Sequence, residues 1–272
     1  MKKVLLGLIA LFVIAFASGC GTEEAEGETE ALNEDHLKVG VTAGPHEQVM
    51  EKVKEVAAKQ GLEIELQVFN EYVMPNLALD EGELDANSFQ HQPYLDQFNK
   101  DRGLDIVSVA KTVNFPMGIY SEKVKDVSEI KEGDKIGLPN DPTNGARALI
   151  LFEQAGLIKL KEDAGVAATV KDIAENPKNL EFIELEAAQI PRQLGELKAA
   201  AINTNFAIEH GFVPTEDSIF IEPKDSPWVN VIAVRSENKN DPAIDKLIQA
   251  YQSDEVKQHI KTQFKGSVIA GW

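Results

Sequence analysis

The chain has 272 residues, with 27 Lys and Arg against 45 Asp and Glu, and a formal charge of −18. That balance argues against a nucleic-acid partner, whose phosphates are gripped through Lys and Arg, and against docking on anionic lipid through a basic patch. A single cysteine excludes an internal disulfide framework and a multi-cysteine metal site, while an apolar share of 43% is ample for a buried core.

The amino terminus reads as an address. Met1-Lys2-Lys3 precedes an apolar run over residues 4–17, broken only by Gly7. The run is shorter than the about 20 residues of a membrane span and has the shape of a signal peptide. It ends in Ala17-Ser18-Gly19-Cys20, small residues followed by the one cysteine. The junction resembles a bacterial lipoprotein signal, in which that Cys receives a diacylglycerol and becomes the mature terminus. Ala17 stands where Leu is usual, and an ordinary secretory signal with an incidental Cys is the alternative. Residues 1–19 are thus expected to be a signal peptide. Residues 20–36 are expected to be the lipidated Cys20 and an acidic tether, since GTEEAEGETEALNEDH is glutamate-rich and self-repelling.

From residue 37 strands and helices alternate. Residues 37–42 and 63–69 read as strands, with a helix over 47–60 between them that stops at Gly61. Helices over 75–84 and 93–102 flank a short strand at 85–89, and a further strand lies within 104–113. Strands follow at 117–121 and 135–139, the latter opening into a helix over 142–155 that Gly156 ends. Residues 169–175 are helical at most briefly. A strand at 180–185, a helix over 190–198 and a buried strand at 199–203 come next. Strands at 220–222 and 229–234 precede one closing amphipathic helix over 242–262. Alternation of this kind means α/β layers. Pro116 and Pro227 each stand at a strand entrance and divide the body into outer and middle portions. Two α/β lobes are therefore expected, 37–115 plus 232–272 and 116–231. They would be joined by two crossing strands, with a ligand cleft between them at the carboxyl ends of strands.

Three segments offer chemistry. Phe69, Tyr72, Phe89, His91 and Tyr94 follow strand ends near one rim, in a chain only 7% aromatic. They form either a pocket wall or ordinary packing at loop bases, with His91 a structural histidine. Asp141-Pro142 looks like an N-cap followed by proline at the first helical position, which puts Asn144 and Arg147 on one helix face. Such a site suits a carboxylate, which Arg grips with two parallel hydrogen bonds. The same Arg serves equally to pair with a Glu. Asn203 and Asn205 share a face if that segment is extended, and Asn230 lies at the second crossing. Their amides suit a zwitterion, although Asn also serves turns. Nucleophile motifs and metal-ligand spacings are absent, so neither an enzyme nor a metal site is expected, and no cofactor.

Residues 37–272 resemble the substrate-binding lipoproteins of bacterial methionine ABC transporters, the NlpA-type lipoprotein family. The matching strings are NEYVMPNLAL (70–79), LDANSFQHQPYL (84–95), PNDPTNGARAL (139–149), ENPKNL (175–180), INTN (202–205) and DSPWVN (225–230). Ala188 departs from an expected Pro, and Trp228 from a more familiar Tyr. The resemblance implies a two-lobed, type II-like periplasmic-binding-protein fold that closes on one amino acid, and no catalysis. It implies that Arg147 binds the ligand carboxylate beside Asn144. Asn203, Asn205 and Asn230 would hold the amino group and backbone oxygens, and Phe69, Tyr72, Phe89, His91 and Tyr94 would wall the side-chain pocket. The implied partners are L- and also D-methionine, an ABC permease and its ATPase, and the membrane through lipid on Cys20, at the extracytoplasmic face of the cell membrane. A same-fold receptor for another small amino acid, a methionyl dipeptide or an anion is the alternative.

Overall fold

The computed structural model describes residues 31–224 and 226–272. The expected signal peptide, Cys20 and tether residues 21–30 lie outside the described residues.

The chain begins with β1 (His36–Thr42), α1 (Pro45–Ala58), β2 (Glu63–Phe69), α2 (Met74–Asp80), β3 (Ala86–Asn87), α3 (Gln92–Arg102) and β4 (Ile106–Asn114). It then builds β5 (Gly118–Tyr120), β6 (Lys135–Pro139), α4 (Pro142–Gln154), β7 (Lys159–Leu160), β8 (Ile173–Glu175), β9 (Glu181–Leu185), α5 (Ile190–Gln193), β10 (Ala199–Ile202), α6 (Thr204–Glu209), α7 (Pro214–Asp217) and β11 (Phe220–Ile221). It closes with β12 (Val229–Arg235), α8 (Pro242–Tyr251), α9 (Asp254–Phe264) and β13 (Ile269–Ala270).

Two sheets result. One is ordered β13-β4-β12-β3-β1-β2, the other β11-β5-β10-β6-β9, and β7-β8 form a separate ribbon. Strands β1, β2 and β3 run parallel, as do β10, β6 and β9, while β12 and β4 pair antiparallel. Both faces of each sheet are covered, and strand alternation assigns the side chains. In β12, Ile232 and Val234 join the core under α1, α8 and α9, while Val231 and Ala233 face the cluster of Leu79, Leu84 and Leu95. In β10, Ala199 and Ala201 pack with α4, and Ala200 and Ile202 with Ile190, Leu194 and Phe206. This is the expected two-lobed periplasmic-binding-protein architecture, each lobe an α/β unit on its own sheet.

The chain passes from the first sheet to the second between β4 and β5, and returns between β11 and β12. The two crossings lie side by side. The Glu222 amide donates to the Met117 carbonyl at 2.9 Å, and Asn114 Nδ2 donates to the Ser226 carbonyl at 3.0 Å.

Several element lengths differ from expectation. The closing helix over 242–262 is two helices, because Ser253 Oγ accepts from the Val256 amide and starts α9 anew, with Asp254 and Glu255 in its first turn. The helix over 190–198 is one α-turn at Ile190–Gln193 followed by a 3₁₀ turn at Leu194–Glu196. Residues 169–175 become a 3₁₀ turn, capped by Thr169 and Asp172, leading into β8. Asn203 and Asn205 are not on an extended segment, since Asn203 is the residue before α6 and Asn205 lies in that helix's first turn.

Candidate ligand-binding site

A cavity lies between the two sheets, lined by residues from both. Each of its main contributors sits just past the carboxyl end of a parallel strand, where ligands of open α/β sheets bind. His46 follows β1, Tyr72 follows β2, and Phe89, Gln90 and His91 follow β3. Asn144 and Arg147 follow β6, and Asn203, Thr204 and Asn205 follow β10. Tyr94 on α3, Phe115 at the first crossing and Asn230 on β12 complete the lining.

One end of the cavity is aromatic. Tyr72 packs between Phe89 at 5.9 Å and Phe206 at 4.9 Å, centroid to centroid, with the Tyr94 ring edge-on at 5.9 Å. Tyr94 Oη donates to the Tyr72 carbonyl at 3.0 Å. Tyr72 Oη donates to Asn205 Oδ1 at 2.6 Å, a bond that joins the two lobes. Burial pushes both phenols above their ordinary range, so they remain neutral donors.

The other end is polar and organised around Asn144. The Asp141 carboxylate caps α4 by accepting from the Asn144 amide at 2.9 Å, and also accepts from Asn144 Nδ2 at 3.0 Å. Asn144 Oδ1 accepts from Asn203 Nδ2 at 2.8 Å and lies 3.2 Å from His91 Nε2. His91 caps α3 through Nδ1, which accepts from the Tyr94 amide. Its proton therefore sits on Nε2, the nitrogen facing Asn144. Burial, and then the charge of Arg147, push His91 down to about 3; burial alone pushes His46 down to about 3. Both are neutral imidazoles at ordinary pH. Burial also raises Asp141, against the hydrogen bonds from Asn144.

Arg147 is 3% exposed and its fork is occupied from within. Nε donates to Glu222 Oε1 at 2.8 Å, and Nη2 donates to Glu222 Oε2 at 2.5 Å and to the Phe115 carbonyl at 2.7 Å. Only Nη1 remains. The Trp228 ring lies against the guanidinium, 5.4 Å from its carbon, and against His91 at 5.2 Å. The sequence-based picture of a fork free for a ligand carboxylate therefore changes, because a buried carboxylate 75 residues away already fills it. Three polar atoms of cavity residues are buried without a partner among the described residues: His46 Nε2, Asn203 Oδ1 and Asn205 Nδ2. Buried polar atoms of this kind are rarely left unpaired, so they mark where a polar ligand fits.

Of the ten residues anticipated, nine line the cavity. Phe69 does not. It ends β2 and packs on the Leu79, Leu84 and Leu95 cluster, over Gly40, where a Cβ would meet its ring at 3.3 Å. Its strand position fixes that direction. His46, Gln90, Phe115 and Thr204 line the cavity and were not anticipated. For His46 a signal existed, since it follows the end of β1 as Tyr72 follows β2. Gln90 is held by Asn76 and Asn87, and nothing local foretold that Phe115 faces the cavity.

Residues 37–272 match the family model described as NlpA lipoprotein. The D-methionine-binding lipoprotein MetQ of Salmonella typhimurium is 47% identical over 271 residues, spanning 98% of this chain and 95% of that protein. Among solved structures, a nutrient-binding protein from Burkholderia cenocepacia bound to methionine superposes with a TM-score of 0.85 at 52% identity, covering 87% of this chain and 100% of the other. An ABC transporter periplasmic substrate-binding protein from Coxiella burnetii gives 0.84 at 46% identity, covering 86% and 100%.

Proposed function

The chain belongs to the NlpA lipoprotein family, and we propose that it is an extracytoplasmic receptor that captures methionine and hands it to an ABC importer. The observation that carries the reading is the two-ended cavity. Its polar end holds one guanidinium and three unpartnered polar atoms, and its other end is lined by Tyr72, Phe89 and Tyr94. An α-amino acid with an unbranched apolar side chain matches both ends. A thioether gains about 0.3–1.5 kcal/mol per aromatic contact and adapts to an irregular slot.

In this reading the ligand carboxylate meets Arg147 Nη1, the guanidinium nitrogen that no described residue engages. Asn203 Oδ1 accepts from the ligand ammonium, with Asn205, Asn230 and His46 beside it. Asn144 acts indirectly: its amide is committed to Asp141, His91 and Asn203, so it holds those side chains in place. Tyr72, Phe89, His91 and Tyr94 wall the side chain, and Phe69 is not a contact. The lobes, residues 37–115 plus 229–272 and 116–228 once β12 is kept whole in the first sheet, close about the two crossings, a hinge motion usual for such receptors. The protein performs no catalysis. Cys20 carries the lipid that anchors the chain to the outer face of the cell membrane, with the acidic segment ahead of Leu32 as tether, since Leu32 already packs on the core and His36 opens β1. Denaturing the purified protein and weighing the released small molecules tests the reading. Methionine at near-equal stoichiometry is expected, and a different dominant ligand overturns it.

A further inference from the structure

We infer that Glu222 sets the charge selectivity of the cleft, restricting it to ligands that are net neutral. The inference rests on the proposed reading that an amino acid binds here.

Among the described residues lining the cavity, Arg147 alone carries a formal charge. Glu222 lies behind it, 6% exposed, and cancels that charge inside the fold through two hydrogen bonds. Glu222 is itself fixed at the crossings: Oε2 accepts from the Met117 amide at 2.9 Å and from Ser226 Oγ at 3.3 Å. These bonds hold its carboxylate against the guanidinium. The Asp141 carboxylate, which accepts from Asn144 Nδ2, adds negative charge behind that residue.

The cleft thus offers a directional donor with no net positive charge to spend on a ligand. A zwitterion brings its own ammonium and leaves the closed cleft balanced. A simple anion of the same shape leaves one buried negative charge uncompensated, which is costly away from water. Had Arg147 been free, the anion would have balanced it and the zwitterion would not. One carboxylate outside the cavity therefore selects amino acids over the matching 2-hydroxy acids.

The test uses methionine and 2-hydroxy-4-(methylthio)butanoate, titrated calorimetrically into ligand-stripped parent, Glu222→Gln and Glu222→Asp proteins at neutral pH. In the parent, methionine should bind more than about tenfold tighter than the hydroxy acid. In Glu222→Gln that ratio should shrink by about tenfold or more. Glu222→Asp keeps the charge and should keep the ratio even where both affinities fall. A purely structural role would weaken both ligands alike and leave the ratio unchanged in Glu222→Gln, which overturns the inference. So does a Glu222→Asp variant that loses the ratio as fully as Glu222→Gln. If Glu222→Gln binds neither ligand, the parent decides: a ratio below about tenfold overturns the inference and a larger one supports it. Failure of the parent to bind methionine at all contradicts the proposed function instead, so the two failures are distinct.

Discussion

Replacing Arg147 by Met should damage the fold and the binding site separately, and a second substitution should repair only the first. The single change removes the three hydrogen bonds from Nε and Nη2 and leaves Glu222 buried with its charge, supported among the described residues by the Met117 amide and Ser226 Oγ. Breaking a buried pair from one side typically costs about 3–5 kcal/mol, because the other charge stays behind. Glu222→Leu removes that stranded charge. An apolar pair of similar volume is often near neutral relative to the ion pair, although the Met117 amide loses its acceptor, which costs about 1 kcal/mol. The double variant Arg147→Met with Glu222→Leu should therefore be at least about 2 kcal/mol more stable than the sum of the single changes predicts. Urea unfolding of ligand-free protein measures this coupling. Methionine titrations on the same proteins should show both Arg147→Met variants weakened by roughly two to four decades, since neither has an anchor for the carboxylate. Coupling below about 0.5 kcal/mol would mean the pair does not act as a unit. Recovery of methionine binding in the double variant would show that Arg147 is not the anchor.

Tyr72→Phe keeps the stack on Phe206 but deletes the 2.6 Å bond to Asn205 that spans the lobes. A neutral bond of this kind is worth about 0.5–1.5 kcal/mol, so methionine should bind roughly two- to tenfold more weakly, mainly through faster release; unchanged affinity and release rate would refute the latch. His46 and His91 titrate near 3 when folded against 6.5 when exposed, so the unfolded chain takes up protons first as pH falls. Their contribution is complete above about pH 6.5 and is lost progressively toward pH 3, with a slope of about 1.4 kcal/mol per pH unit for each. A urea midpoint that stays flat from pH 6.5 to 4.5 would contradict this. Cys20→Ser should leave the protein unprocessed or release it to the soluble fraction, and a processed, membrane-bound variant would exclude lipid at that residue.

Local patterns carried the sequence reading a long way, for physical reasons. Strands such as β2 and β12 announce themselves through alternation, and Asp141-Pro142 announces the start of α4, because both signals are short-range. The strand-end rule drew attention to Tyr72, Phe89, His91 and Tyr94 together. Applied to β1 it points equally to His46. Phe69 was misleading because it is still part of its strand, so the pleat and not the loop decides its direction. The partner of Arg147 was illegible. Glu222 lies 75 residues away, beside the second crossing, and its neighbours in sequence give no sign of burial. The break at Ser253 was visible in principle as Ser-Asp-Glu, a helix start hidden within a longer amphipathic repeat.

The most direct test of the account is methionine binding to protein stripped by unfolding and refolding, followed calorimetrically beside alanine. Both ligands present the same carboxylate and ammonium to Arg147 and Asn203, and only methionine reaches Tyr72, Phe89 and Tyr94. Methionine should bind with one-to-one stoichiometry and at least about a hundredfold more tightly than alanine, since a buried side chain of its size contributes about 1.5–3 kcal/mol before its aromatic contacts are added. Equal affinities, or heat from neither ligand, would contradict the assignment of this cleft to methionine.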